Sequence, residues 1–93
     1  MGQVKMVSQE AVRAILTEDW DPLNVRRFGV TDEYDSYIAE VSALLVQDNS
    51  TAAITALLEE IASVRMLVDL PLSRHRDAAE KLRQLAENQA KEQ

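Results

Sequence analysis

Between residues 19 and 37 lie five carboxylates, Asp19, Asp21, Asp32, Glu33 and Asp35, together with all four aromatic side chains of the chain, Trp20, Phe28, Tyr34 and Tyr37. Converging carboxylate oxygens are what Ca²⁺ or Mg²⁺ requires. The spacing does not make an EF-hand. A loop opened at Asp19 puts Leu23 at its fifth position, Asn24 where glycine is needed and Val30 where the bidentate glutamate belongs, and one opened at Asp21 fails at Leu23. The plainer reading is helix-end capping beside a solvated acidic surface, with no metal and no cofactor.

His75, the only histidine, stands between Arg74 and Arg76 at the start of a helical segment, with no cysteine in the chain and no carboxylate nearby before Asp77. That is a poor start for a nucleophilic triad, and such a residue reads as surface or lightly packed. Tyr34 and Tyr37 read as rims of the core with wet hydroxyl tips. Only Gly2 and Gly29 are present, so a glycine-rich phosphate loop is excluded. Trp20 offers the area of a binding hot spot, but after an amphipathic helix and before Pro22 it reads more readily as an anchor closing the core. Asp21 would then hold the loop through local backbone amides.

Charge is unevenly placed. The chain of 93 residues carries a net charge of −6. Ten acidic and two basic side chains between residues 18 and 60 give that stretch −8, whereas each flank sums to +1. Such a balance opposes the phosphate backbone that supplies most nucleic-acid affinity, so DNA, RNA and anionic membranes are poor partners. The absence of cysteine removes disulfides and thiol chemistry and suits a reducing compartment. Met1-Gly2-Gln3-Val4-Lys5-Met6 lacks the apolar core of a signal peptide, and no run approaches the about eighteen apolar residues that span a bilayer. A cytoplasmic location is expected.

The elements that position these residues are helices. Ser8 caps the first, which runs to about Glu18 with Val12, Ile15 and Leu16 inward, and Pro22 biases Asp21 towards an extended backbone. Thr31 or Asp32 caps the second, whose stripe is Tyr34, Ile38, Val41, Leu44 and Leu45, to about Val46. Ser50 or Thr51 caps the third, with Ile54, Leu57, Leu58, Ile61, Val64 and Val68 on one side, and Leu70-Pro71-Leu72-Ser73 ends it. The fourth, about residues 74–90, presents Ala78, Ala79, Leu82, Leu85 and Ala86, with Asp77 to Lys81 and Glu87 to Lys91 as helical ion pairs. The spacing predicts one all-α domain over residues 1–93, a compact antiparallel four-helix fold with a long aromatic and acidic loop between helices 1 and 2. Residues 1–7 and 91–93 are expected to fray.

From Ala11 to about Leu85 this layout resembles the YugE-like small bacterial proteins. The matching features are Ile15-Leu16 followed by Trp20-Asp21-Pro22, the acidic-aromatic Asp32-Glu33-Tyr34, and Ala79 with Leu82 in the closing helix. The resemblance implies an all-helical fold and carries no activity with it.

The function expected is a non-enzymatic protein-binding module, immunity-like or antitoxin-like, whose acidic surface meets a basic protein. Its candidate binding residues are Asp21, Asp32, Glu33, Asp35 and Glu40, with Trp20, Pro22 and Tyr34 as structural anchors. Charge segregation without a catalytic constellation is the motive. The first alternative is a self-associating structural protein, a homodimer in which the apolar stripe of the third helix and the alanine-rich fourth helix are completed by another copy. A carboxylate-dependent enzyme or metal protein using Asp19, Asp21, Asp32 or Asp35 comes last, since acid–base work needs a perturbed carboxylate in a pocket.

Overall fold

Ser8 accepts a hydrogen bond at Oγ from the Ala11 amide and opens α1, Gln9–Ile15. The helix continues without a break into a wider π-helical turn, Leu16–Trp20, closed by the Asp21 amide on the Leu16 carbonyl at 2.8 Å. This widening has a packing reason. At 3.6 residues per turn Trp20 would lie about 80° round from Val12. An i to i−5 turn takes up an additional residue, and Val12, Leu16 and Trp20 are all fully buried.

The computed structural model describes residues 8–24, 29, 34–48 and 50–91. The expected caps Thr31 and Asp32, and most of the expected long loop, lie outside the described residues, as do residues 1–7, 92 and 93. Helix α2 is Asp35–Gln47, with Ile38, Val41 and Leu45 buried. Ser50, as one of the two expected caps, accepts from the Ala53 amide and starts α3, Thr51–Glu60, which also widens into a π-helical turn, Ile61–Arg65. Helix α4 is Leu72–Lys91 and buries Ala78, Ala79, Leu82 and Ala86. The fold is all-α, and among the described residues there is no strand. Helices α3 and α4 share the broadest contact, which the alanines permit by letting the helix axes come close. The radius of gyration, 12.6 Å, is that of one globule of this length, for which size scaling gives about 12 Å. Among the described residues no helix is long and apolar enough to cross a membrane.

The third helix departs from its expected course. It ends at Arg65 rather than near Leu70, and Val64, expected in the buried stripe, is 65% exposed. The π turn keeps Ile54, Leu58 and Ala62 on the core line and rotates Val64 outward. Leu67 then takes a left-handed backbone, φ 57°, with 84% of its surface exposed, and the Val68 amide returns to the Ala62 carbonyl at 2.7 Å. Left-handed backbone costs a leucine about 1–2 kcal/mol, and glycine recovers it at the expense of unfolded-state entropy. Leu67→Gly should therefore raise stability by up to about 1 kcal/mol in a urea titration. A loss would show that the exposed side chain supports the fold.

One expected ion pair is replaced by another. Lys81 Nζ donates to Asp19 at 2.7 Å rather than to Asp77, tying α4 to the end of the first helix. Glu87 pairs with Arg83 at 2.6 Å, and the Lys91 side chain lies outside the description.

Candidate functional site

The Trp20-Asp21-Pro22 element is a junction of three helices. The Trp20 indole N–H donates to His75 Nδ1 of α4 at 3.1 Å, its ring centroid lies 5.6 Å from that of Tyr34, and its carbonyl accepts from Arg74 Nε at 3.2 Å. A buried indole keeps its donor satisfied this way, and the guanidinium meets a carbonyl that the helix end leaves open. Asp21 is buried and left-handed, φ 38°, rather than extended as its place before proline suggests. Its Oδ1 accepts the Tyr34 hydroxyl at 2.7 Å, and that same hydroxyl accepts the Leu23 amide at 2.9 Å. Aspartate tolerates the left-handed region better than most residues, and this bond fixes it there. The Tyr34 hydroxyl is thus buried in the junction and not a wet tip; Pro22 is buried beside it.

His75 is 2% exposed, which corrects its reading as a surface residue. The signal lay in helical spacing: His75, Ala78, Ala79, Leu82 and Ala86 form one stripe. Because Nδ1 accepts the indole proton, the neutral ring carries its proton on Nε2. Burial lowers the His75 pKa from its ordinary value; Glu59 and Asp69 oppose the shift and Arg74 adds to it. The unfolded chain consequently binds the proton at higher pH than the folded one. The contribution of neutral His75 to stability is complete above about pH 6.5 and is lost as pH falls from there towards the lowered folded value. Urea midpoints should decline on acidification through that window, and His75→Gln, whose amide oxygen can still accept the indole proton, should flatten this part of the curve. An equal decline in both proteins would assign the acid sensitivity to other groups.

The acidic candidates do not form one bare patch. Asp35 receives Arg13 Nε and Nη2 on its two oxygens at 2.8 and 2.9 Å. Glu40 receives Arg65 in the same two-pronged way at 2.6 and 2.9 Å, and this hydrogen-bonded guanidinium holds its carboxyl below the ordinary range. Asp21 is taken off the surface altogether, so its carboxylate is not offered to a partner. Asp32 and Glu33 lie outside the described residues. Asp19, Asp21 and Asp35 are each committed to a different element, and among the described residues no group of three His, Asp or Glu side chains is arranged to hold a metal ion.

Concavity occurs elsewhere, between α2 and α3. An open trough of about 390 Å³ is walled by Ala43, Leu44 and Gln47 on one side and Ala53, Ala56 and Leu57 on the other, with Glu40 and Glu60 at one end. Arg65 bridges those two carboxylates, reaching Glu60 at 3.2 Å. The walls hold no imidazole or hydroxyl, and the Glu40 carboxyl is held ionised instead of being poised near neutrality. Glu40 and Glu60 are the ionisable groups of the trough's lining. Glu40 is legible in the sequence and the trough is not, because Ala43, Ala53 and Ala56 look like ordinary helix-formers until two helices are set side by side.

No family model, no curated protein and no solved structure matches the chain.

Proposed function

We propose that the protein is a non-enzymatic binding module that recognises a basic protein, with an inhibitor of the immunity or antitoxin kind as its concrete form. The observation that carries the reading is the α2–α3 trough, an apolar floor ending in two carboxylates within the stretch that bears the −8 charge. Two further features agree with it. The one imidazole is spent inside the fold on Trp20, and the carboxylates Asp19, Asp21 and Asp35 are spent on Lys81, Tyr34 and Arg13. The resemblance of Trp20-Asp21-Pro22 to the YugE-like proteins adds an expectation of helical architecture and no reaction.

The test begins with a tagged full chain, cross-linked in cells, and a partner identified by mass spectrometry. Association of the purified partner is then followed by stopped flow at several ionic strengths, for the native chain and for Glu33→Gln with Glu40→Gln. A basic partner, a rate that falls with salt and a several-fold slower double variant are expected, because such charges act mainly on encounter. An acidic partner, or a rate indifferent to salt and to both substitutions, would overturn the reading.

Self-association is a second reading with an observation of its own. Val64, Leu67 and Leu72 are exposed around the connection from α3 to α4, Leu72 by 48%. Sedimentation at micromolar concentration decides it: a monomer mass with no concentration dependence removes it.

A further inference from the structure

We infer that the α2–α3 trough is the seat of one amphipathic helix from a basic partner protein, and that an arginine or lysine of this helix takes the place of Arg65 on Glu40 and Glu60. The inference rests on the binding-module reading and adds to it the form of the occupant and the exchange that admits it. From Glu40 to Gln47 the trough follows about 10 Å of helix, two turns, at 1.5 Å per residue. A ridge of aliphatic side chains spaced at i, i+3 or i+4 and i+7 covers that length. Ala43, Ala53 and Ala56 place no bulk between the walls, so a third helix can settle at ordinary packing distance. The trough is an open cleft rather than an enclosed cavity, a form that suits an elongated helix better than a small molecule that must be mostly buried.

Charge selects the partner. A second copy would bring another −6 against the acidic end, whereas a basic helix is attracted to it. Arg65 shows which group that end accepts: a planar cation with two prongs on Glu40 and a third contact on Glu60. All three side chains are between a third and just over half exposed, so the resident pair is weakly held in solvent and exchanges readily. Arg65 sits on the turn after α3 and can swing outward without disturbing the core.

The probe is a short synthetic peptide with leucines on one helical face and arginines at their flanks, fluorescein-labelled and followed by anisotropy with the full chain. Its control carries glutamates for the arginines. Binding near micromolar is expected for the arginine peptide, weakened roughly tenfold or more by Ala56→Phe, which fills the trough from an exposed position. Arg65→Gln removes the resident cation and should tighten binding several-fold. Equal affinity for the native chain and Ala56→Phe, weaker binding by Arg65→Gln, or preference for the glutamate peptide would each overturn the inference. Should Ala56→Phe fail to fold, amide shifts of the ¹⁵N-labelled native chain supply the answer: changes gathered at Ala43, Gln47, Ala53 and Ala56 support the seat, and changes gathered elsewhere overturn it. An identified basic partner that binds native chain and folded Ala56→Phe alike would overturn the helix seat, whereas an acidic partner would overturn the module reading itself. A dimer broken by Ala56→Phe would give the trough to a second copy instead.

Discussion

Replacing Trp20 by alanine should cost the fold about 3–5 kcal/mol, the usual range for emptying a buried aromatic site. The ring is fully buried on the line of Val12 and Leu16, rests against Tyr34 and satisfies His75. Its loss empties the space where α1, α2 and α4 meet. For a domain whose whole stability is of order 5–15 kcal/mol, such a change can leave the chain largely unfolded at 37 °C. Trp20→Phe separates the two contributions, since it keeps most of the apolar area and removes the indole donor; about 1–3 kcal/mol is expected from that alone. Urea titrations followed by far-ultraviolet circular dichroism measure both. An unchanged midpoint for Trp20→Ala together with loss of partner binding would make Trp20 an interface residue and contradict the assignment.

The second large effect is expected at the Tyr34 hydroxyl. Tyr34→Phe removes one oxygen and leaves the ring, yet that oxygen serves both the Asp21 carboxylate and the Leu23 amide. About 1–3 kcal/mol should be lost, because a buried amide is left without its acceptor and a carboxylate loses a donor. Asp21→Asn should also destabilise, and the two changes together should cost less than their sum by about 0.5–3 kcal/mol, as groups sharing one bond do. Strict additivity in a double-mutant cycle would show that the bond does not hold Asp21 in its left-handed conformation.

Much of the framework is legible in the sequence because it depends on neighbours along the chain. Ser8 and Ser50 announce helix starts through bonds to amides three residues on, and Ile38, Val41 and Leu45 announce a buried face by their spacing. What is not legible depends on residues far apart. Lys81 could have paired with Asp77 on its own helix; only the docking of α4 brings Asp19, 62 residues away, within reach. His75 looked like surface because it lies between two arginines, while its partner Trp20 is 55 residues upstream. The π turns were hidden for a related reason. Local propensity favours a regular helix, and the turns widen to keep Trp20 and Ala62 on the core lines of their helices. The acidic character of residues 18–60 is plain in the sequence, but the pairing of Asp35 with Arg13 and of Glu40 with Arg65 is not, since each joins residues on different helices.

Trp20, Asp21 and Tyr34 are built into the core, and the proposed binding surface lies on another face. Trp20 is the only tryptophan, and it reports on this directly. The measurement is its fluorescence in the native chain, with quenching by acrylamide and iodide before and after unfolding in urea. The buried indole should give a blue-shifted emission that iodide does not reach in the native state and that shifts red and becomes quenchable on unfolding. Native emission already red and freely quenched would place the indole in solvent, dissolve the junction with His75 and Tyr34, and return Trp20 to the surface as a binding residue.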